Sequence, residues 1–150
     1  MKKNLLLLFT SAILFACNTS SHKSEDHDDH AHNGHSEATE LTLNNGQKWK
    51  ADSVTNHNVV DIKTIADNFR IKPFPSINDY QLLGVDLKNG LDKMIRACKM
   101  SGPDHEALHQ WLNPLLQNTN ELTNVTDTTT GSSVFKSIDQ RIDDYHNYFE

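Results

Sequence analysis

Apolar side chains recur every three to four positions over four stretches between residues 52 and 149, separated by polar or helix-breaking residues. That period belongs to amphipathic helices. The first stretch spans about residues 52–70, with Val54, Ile62, Ile65 and Phe69 in phase and one longer gap that holds His57 and Asn58. Pro73-Phe74-Pro75 stops it, because each proline disfavours helix in the residue before it. Ser76 opens a second helix, with Asp79 three positions on as a capping-box-like partner. Its stripe is Ile77, Tyr80, Leu83, Leu87, Leu91, Met94, Ile95 and Cys98, in phase despite Gly84 and Gly90. Ser101-Gly102-Pro103 is a stop followed by a restart, since proline is tolerated in a first turn. The third helix turns Leu108, Trp111, Leu112, Leu115, Thr119 and Leu122 inward, with a kink or loosening expected at Pro114. Residues 124–131 read as a polar loop, and residues 132–149 as a fourth helix carrying Val134, Ile138, Ile142, Tyr145 and Phe149.

Four helices of about 18–25 residues, each about 27–38 Å long and joined by short turns, predict an all-α antiparallel up-down-up-down four-helix bundle. Ahead of them, Leu41-Thr42-Leu43 alternates, Asn44-Asn45-Gly46 reads as a turn, and Trp49 is expected to pack against the domain. The bundle domain is thus residues 41–150.

The first forty residues have a different character. Lys2 and Lys3 form a positive start, and Leu5 to Phe15 an apolar run too short to span a bilayer. Leu14-Phe15-Ala16-Cys17 ends that run with a small residue and a cysteine. It resembles the lipobox of bacterial lipoproteins, which implies a signal peptide over residues 1–16 and lipid on Cys17. Multiple acyl chains on one residue suffice for stable anchoring. Asn18 follows instead of aspartate, which by analogy with lipoprotein sorting favours an outer over an inner membrane. Residues 17–40 carry almost no apolar side chains and are expected to form a disordered tether. That tether holds His22, His27, His30, His32 and His35 among Glu25, Asp26, Asp28 and Asp29, a composition suited to weak, exchangeable divalent-metal binding.

Charge narrows the partners. The chain has 14 basic and 20 acidic residues, and loss of Lys2 and Lys3 takes its net charge from −6 to −8. That balance argues against nucleic acid and suits cations. With Cys17 consumed by lipid, Cys98 is left as a single thiol that must be buried, paired between molecules or bound.

The up-down topology brings chemistry to one end. His57 lies early in the first helix; Met94, Cys98 and Met100 lie at the end of the second. His105 and His109 begin the third, and His146 is near the end of the fourth. His105 and His109 are four apart and share a helix face with Leu108 and Leu112. A buried imidazole is costly unless its nitrogens find partners, and a metal shared with Cys98 supplies them. Thiolate, thioether and imidazole favour a soft or borderline ion, Cu(I) first and Zn(II) next. Cys98 and Met100 share an ion only where the helix unwinds, which Gly102 permits.

Cys98-Lys99-Met100-Ser101-Gly102, His105, Leu108-His109 and Trp111-Leu112-Asn113-Pro114 also resemble a signature of small Gram-negative lipoproteins. Those share a His/Asp-rich leader, a stretch like Asn45 to Trp49 and an aromatic C-terminal end like Tyr145 to Phe149. The resemblance covers most of residues 41–150. It implies a helical domain and a link to heavy-metal handling, and it supplies no catalytic residues.

The expectation is therefore a non-enzymatic, membrane-anchored lipoprotein that buffers or delivers copper or zinc in the cell envelope, with an envelope transporter or metal-efflux component as possible partner. The rival is an adaptor lipoprotein with no specific metal site, in which Cys98 and Met94 are core filler and the histidines cap or solvate. Absence of C-x-x-C-H excludes haem c, leaving non-covalent haem as a further alternative. A thiol enzyme lacks an oxyanion-forming glycine loop, and Glu-x-x-His spacing for a di-iron site is absent.

Overall fold

The structure is a computed structural model in which residues 40–150 are described. The expected signal peptide, the expected lipidation of Cys17 and the five tail histidines (His22, His27, His30, His32 and His35) lie outside the described residues.

The described chain is all-helical: α1 (Ser53–Arg70), α2 (Ile77–Ala97), α3 (Gly102–Leu122), α4 (Thr128–Asp143) and a final turn α5 (Tyr145–Tyr148). Each of the four long helices starts where a short polar side chain can meet its first free amides, or where proline leaves one fewer to satisfy. Asp52 caps α1 by accepting from the Thr55 N–H at 2.6 Å. Ser76 and Asp79 cap α2 reciprocally, the Ser76 N–H donating to Asp79 at 2.8 Å and the Asp79 N–H to the Ser76 hydroxyl at 3.3 Å. Pro103 lies in the first turn of α3.

Two sequence expectations shift. The fourth helix begins at Thr128 rather than near residue 132, because Asp127 accepts from the Thr130 N–H at 2.8 Å and starts the helix inside the polar stretch. Gly131 is therefore a packing glycine rather than a loop residue: a Cβ there would lie 2.7 Å from the Tyr80 ring. The same helix breaks at Asp144, leaving α5 as a separate turn. Helix α3 continues through Pro114 to Leu122.

The core is drawn from all four long helices. Val59, Ile62 and Ala66 of α1 meet Leu83, Leu87, Leu91 and Met94 of α2, with Leu108, Trp111, Leu115 and Leu122 of α3 and Val134, Ile138 and Ile142 of α4. In α1 the buried face is rotated from the expected stripe. Thr55 and Asn58 are buried in the gap, while Val54 is exposed. Ile77 and Ile95 likewise stand at the exposed edge of α2.

Specific contacts tie the elements in register. Phe69 late in α1 packs on Tyr80 early in α2, with ring centroids 5.2 Å apart, while Asp61 of α1 pairs with Lys93 late in α2 at 2.8 Å. Arg70 grips both oxygens of Asp139 in α4, and Lys63 pairs with Asp143 one turn further on. Across α3 and α4, the Trp111 indole N–H donates to the Arg141 carbonyl at 2.8 Å.

The segment before α1 is a strap. Asn44 and Gln47 exchange backbone hydrogen bonds around Asn45 and Gly46, both at positive φ (51° and 85°), the backbone that a tight two-residue turn requires. Half-buried Trp49 then pairs with Phe149: its N–H donates to the Tyr148 carbonyl at 2.8 Å and its own carbonyl accepts from the Glu150 N–H at 3.0 Å. The C-terminal residues are thereby tied to the strap. No described helix is long and apolar enough to cross a membrane.

Candidate metal site

Helix α2 ends at Ala97, and Cys98 follows as its C-cap in extended backbone (φ −60°, ψ 132°). Four residues later α3 begins, with Gly102 at φ 69° making the reversal that an L side chain resists. This short turn folds the last turn of α2 against the first two turns of α3. Between them lies a small pocket, about 290 Å³ counting its open mouth, lined by Met94, Ile95, Cys98, His105, Leu108, His109 and Leu112.

Its two histidines face each other. Four residues apart on one helix, they lie one turn above the other. Their rings stand at 62° with centroids 4.5 Å apart, and His105 Nε2 and His109 Nε2 are 3.1 Å apart and hydrogen-bonded. Two nitrogens each bound about 2.0–2.1 Å from one ion stand about 3.3 Å apart in tetrahedral geometry. His105 is half-buried and His109 is exposed, so the pair spans the pocket from wall to mouth.

The sulfurs occupy the opposite wall. Met94 is 1% exposed and belongs to the core, whereas the Cys98 thiol is half-buried. Met100 is half-buried and packs against the core, but is not part of the pocket lining. His57 and His146 also lie outside the lining. The side chain of His57 is 76% exposed, with Nε2 4.0 Å from Asp61. His146 is exposed and sets its ring edge-on to Tyr145 at 5.4 Å. Of the seven expected ligands, the pocket thus gathers Met94, Cys98, His105 and His109. Among the described residues, no three His, Cys, Asp or Glu side chains are grouped closely enough to hold an ion between them.

Two aspartates missed from sequence hold the pocket's shoulders. Asp52 caps α1 with one carboxylate oxygen; with the other it accepts from the Lys99 N–H at 3.0 Å, next to Cys98. Asp104, beside His105, accepts from the Lys50 N–H of the strap at 2.9 Å. Desolvation raises the Asp52 pKa, but hydrogen bonds from Thr55 and Lys99 and the Lys99 charge outweigh it, holding the carboxyl below its usual value. An N-cap at Asp52 is legible from sequence; its second bond, 47 residues away, has no local signal. Nearby, the buried Tyr145 hydroxyl donates to Asn56 at 2.9 Å. Its pKa is pushed up by burial first, then by the Asp52 and Cys98 charges.

Comparison with known proteins gives no further guide: no family model matches the chain, and no curated protein or solved structure matches it.

Proposed function

We propose that this protein is a lipid-anchored metal-binding lipoprotein of the cell envelope, and that the pocket between α2 and α3 buffers or delivers a copper or zinc ion. The carrying observation is the His105–His109 pair, its Nε2 atoms 3.1 Å apart, in one pocket with Cys98 and Met94. A histidine pair seeking only solvation has no need of two sulfurs beside it. In this reading the helices run up-down-up-down, in keeping with the Phe69–Tyr80, Asp61–Lys93 and Arg70–Asp139 pairings. Residues 1–16 direct export, Cys17 carries the lipid, and the tail histidines collect ions ahead of the ordered site. The outer membrane is the favoured location, and the site performs no catalysis.

The test is equilibrium binding by a chain starting at residue 18 with the five tail histidines changed to asparagine. One tightly held equivalent, lost in Cys98→Ser and in the His105→Asn/His109→Asn double variant, supports the reading. Absence of binding overturns it.

A second reading, an adaptor, draws on the other end of α2. There Phe74 is 99% exposed and Ile71 82% exposed, an apolar tip away from the histidines. Docking onto an envelope transporter through this tip is compatible with metal binding at the pocket. Loss of co-purification with that transporter in Phe74→Ser, with metal binding intact, separates the two roles.

A further inference from the structure

We propose that the tip between α1 and α2, led by Phe74 and Ile71, inserts into the interface of the phospholipid bilayer to which the chain is anchored. The inference rests on the lipid proposed above for Cys17 and is independent of the metal pocket.

The tip is apolar, exposed and strained at once. Phe74 is 99% exposed and Ile71 82% exposed, so neither side chain contributes to the core. Phe74 also sits at φ 49°, a backbone that a bulky L residue resists, and it does so ahead of Pro75, where extended backbone is the norm. A ring displayed at a cost to the fold, and with no contact inside it, takes its contact from outside. Pro73 and Pro75 stiffen the chain on either side, so little conformational freedom is left to lose when the ring is buried.

The backbone of this loop favours lipid over a protein pocket as that contact. Peptide groups without partners are costly in an apolar medium. Between residues 72 and 76 the two prolines carry no N–H. The Lys72 N–H donates to the Phe69 carbonyl at 2.9 Å, and the Ser76 N–H to Asp79 at 2.8 Å. The Phe74 N–H is thus the one backbone donor of the loop left to dehydrate. A protein interface draws on hydrogen bonds around its apolar centre, and this loop has almost none to offer. Its cations are engaged as well: Lys72 pairs with Asp79 at 2.8 Å and Arg70 with Asp67 at 2.6 Å. Insertion is therefore apolar, and the acidic chain gains nothing from anionic headgroups.

The anchor supplies the proximity that one ring lacks. A single aromatic side chain holds a free protein on a bilayer only weakly, but a tethered one meets the bilayer at high local concentration. The 23 chain steps from Cys17 to Glu40 span at most about 80 Å. Helix α1, with the strap before its start and the tip after its end, is about 27 Å long. The tip therefore lies within reach of the anchored leaflet.

The test uses the full chain, its lipid confirmed by mass, reconstituted in phosphatidylcholine vesicles whose acyl chains carry bromine as a fluorescence quencher. Phe74→Trp places a reporter where no contact is lost; Trp111 is buried and Trp49 half-buried, and the unsubstituted chain supplies their background. Thr64→Trp, exposed midway along α1, is the control. Expected are blue-shifted emission from residue 74 and bromine quenching several-fold stronger than at residue 64, both unchanged at high salt. Emission from residue 74 that stays water-like and unquenched overturns the insertion and leaves the anchor standing. If that emission shifts only in whole envelope membranes, and not in protein-free vesicles, the tip takes a protein partner and the lipid assignment fails. A chain recovered without lipid overturns the anchoring and this inference with it.

Discussion

Asp52 joins two parts of the fold with one carboxylate, and two substitutions there separate its duties. Asp52→Ala removes both the bond from the Thr55 N–H at 2.6 Å and the bond from the Lys99 N–H at 3.0 Å. Loss of an N-cap costs about 1 kcal/mol. Loss of a hydrogen bond to a charged acceptor, here half-exposed, costs about 1 kcal/mol more. Asp52→Asn is different, because asparagine caps helices about as well as aspartate. Its single carbonyl oxygen, once committed to Thr55, leaves an amide NH2 facing the Lys99 N–H, donor against donor. The cap survives and the tie to the turn is lost. Thermal or urea unfolding should therefore show a loss of about 2 kcal/mol for alanine and about 1 kcal/mol for asparagine. For a domain of this size each kcal/mol lowers Tm by about 4 °C. The second assay is the rate at which Cys98 reacts with a thiol reagent, in a chain lacking Cys17. Both variants free the turn that follows Cys98, so both should react faster than wild type. Equal stability losses would refute the division of labour. Unchanged thiol reactivity in both would refute the claim that the carboxylate holds the turn.

Other outcomes follow from packing and charge. Gly84→Ala should destabilise by about 1–3 kcal/mol, since the new Cβ would lie 2.8 Å from the Thr123 backbone nitrogen, which cannot step aside like a side chain; denaturant unfolding reads this directly. Phe74→Gly should leave stability unchanged or raise it by up to about 1 kcal/mol, because an exposed aromatic held at φ 49° between two prolines loses strain and no contact. On acidification, Asp79 is held down to about 2, first by Lys72 and then by its Ser76 hydrogen bonds, and Asp127 is lowered by Thr130. Their stabilisation is complete above the unfolded value of 3.8 and is lost as pH falls through the folded values, so unfolding midpoints should drop between about pH 4 and pH 2. At the alkaline end Tyr145 is raised above the ordinary 10.0, and stability should fall as pH rises past that value, since only the unfolded chain then ionises there.

The legible part of this fold is the part with local causes. The core stripes of α3 and α4 follow the sequence period because Leu108, Trp111, Leu112, Leu115, Val134, Ile138 and Ile142 are large, apolar and in phase. The Ser76–Asp79 box and the turn at Asn45-Gly46 are likewise written in residues three or fewer apart. What escaped had distant causes. Thr55 and Asn58 are buried by the packing of α1 into the domain, which their own polarity does not foretell. Gly131 looks like a loop glycine until the Tyr80 ring is seen against it from 51 residues away. The start of α4 shows the limit of polarity as a guide, since threonines after a capping aspartate extend a helix as readily as they form a loop.

The candidate site divides along the same line. His105 and His109 face each other because helical spacing requires it, and Cys98 lies near them because only a short turn intervenes. None of this depends on the order of the four helices. His57 and His146 depend on that order and on the rotation of their own helices, and both rotations turn them outward, to Asp61 and to the edge of Tyr145. Rotation is set by how the whole helix packs on its neighbours rather than by its largest apolar residues. In α1 the face turned to the core carries Val59, Ile62 and Ala66, which leaves His57 exposed. The strap adds what neither spacing nor order supplies: Lys50 and Asp52 hold Asp104 and Lys99, the residues beside His105 and Cys98. The strap ahead of α1 is therefore bonded to both shoulders of the pocket, so their spacing is set by long-range hydrogen bonds as well as by the short turn between α2 and α3.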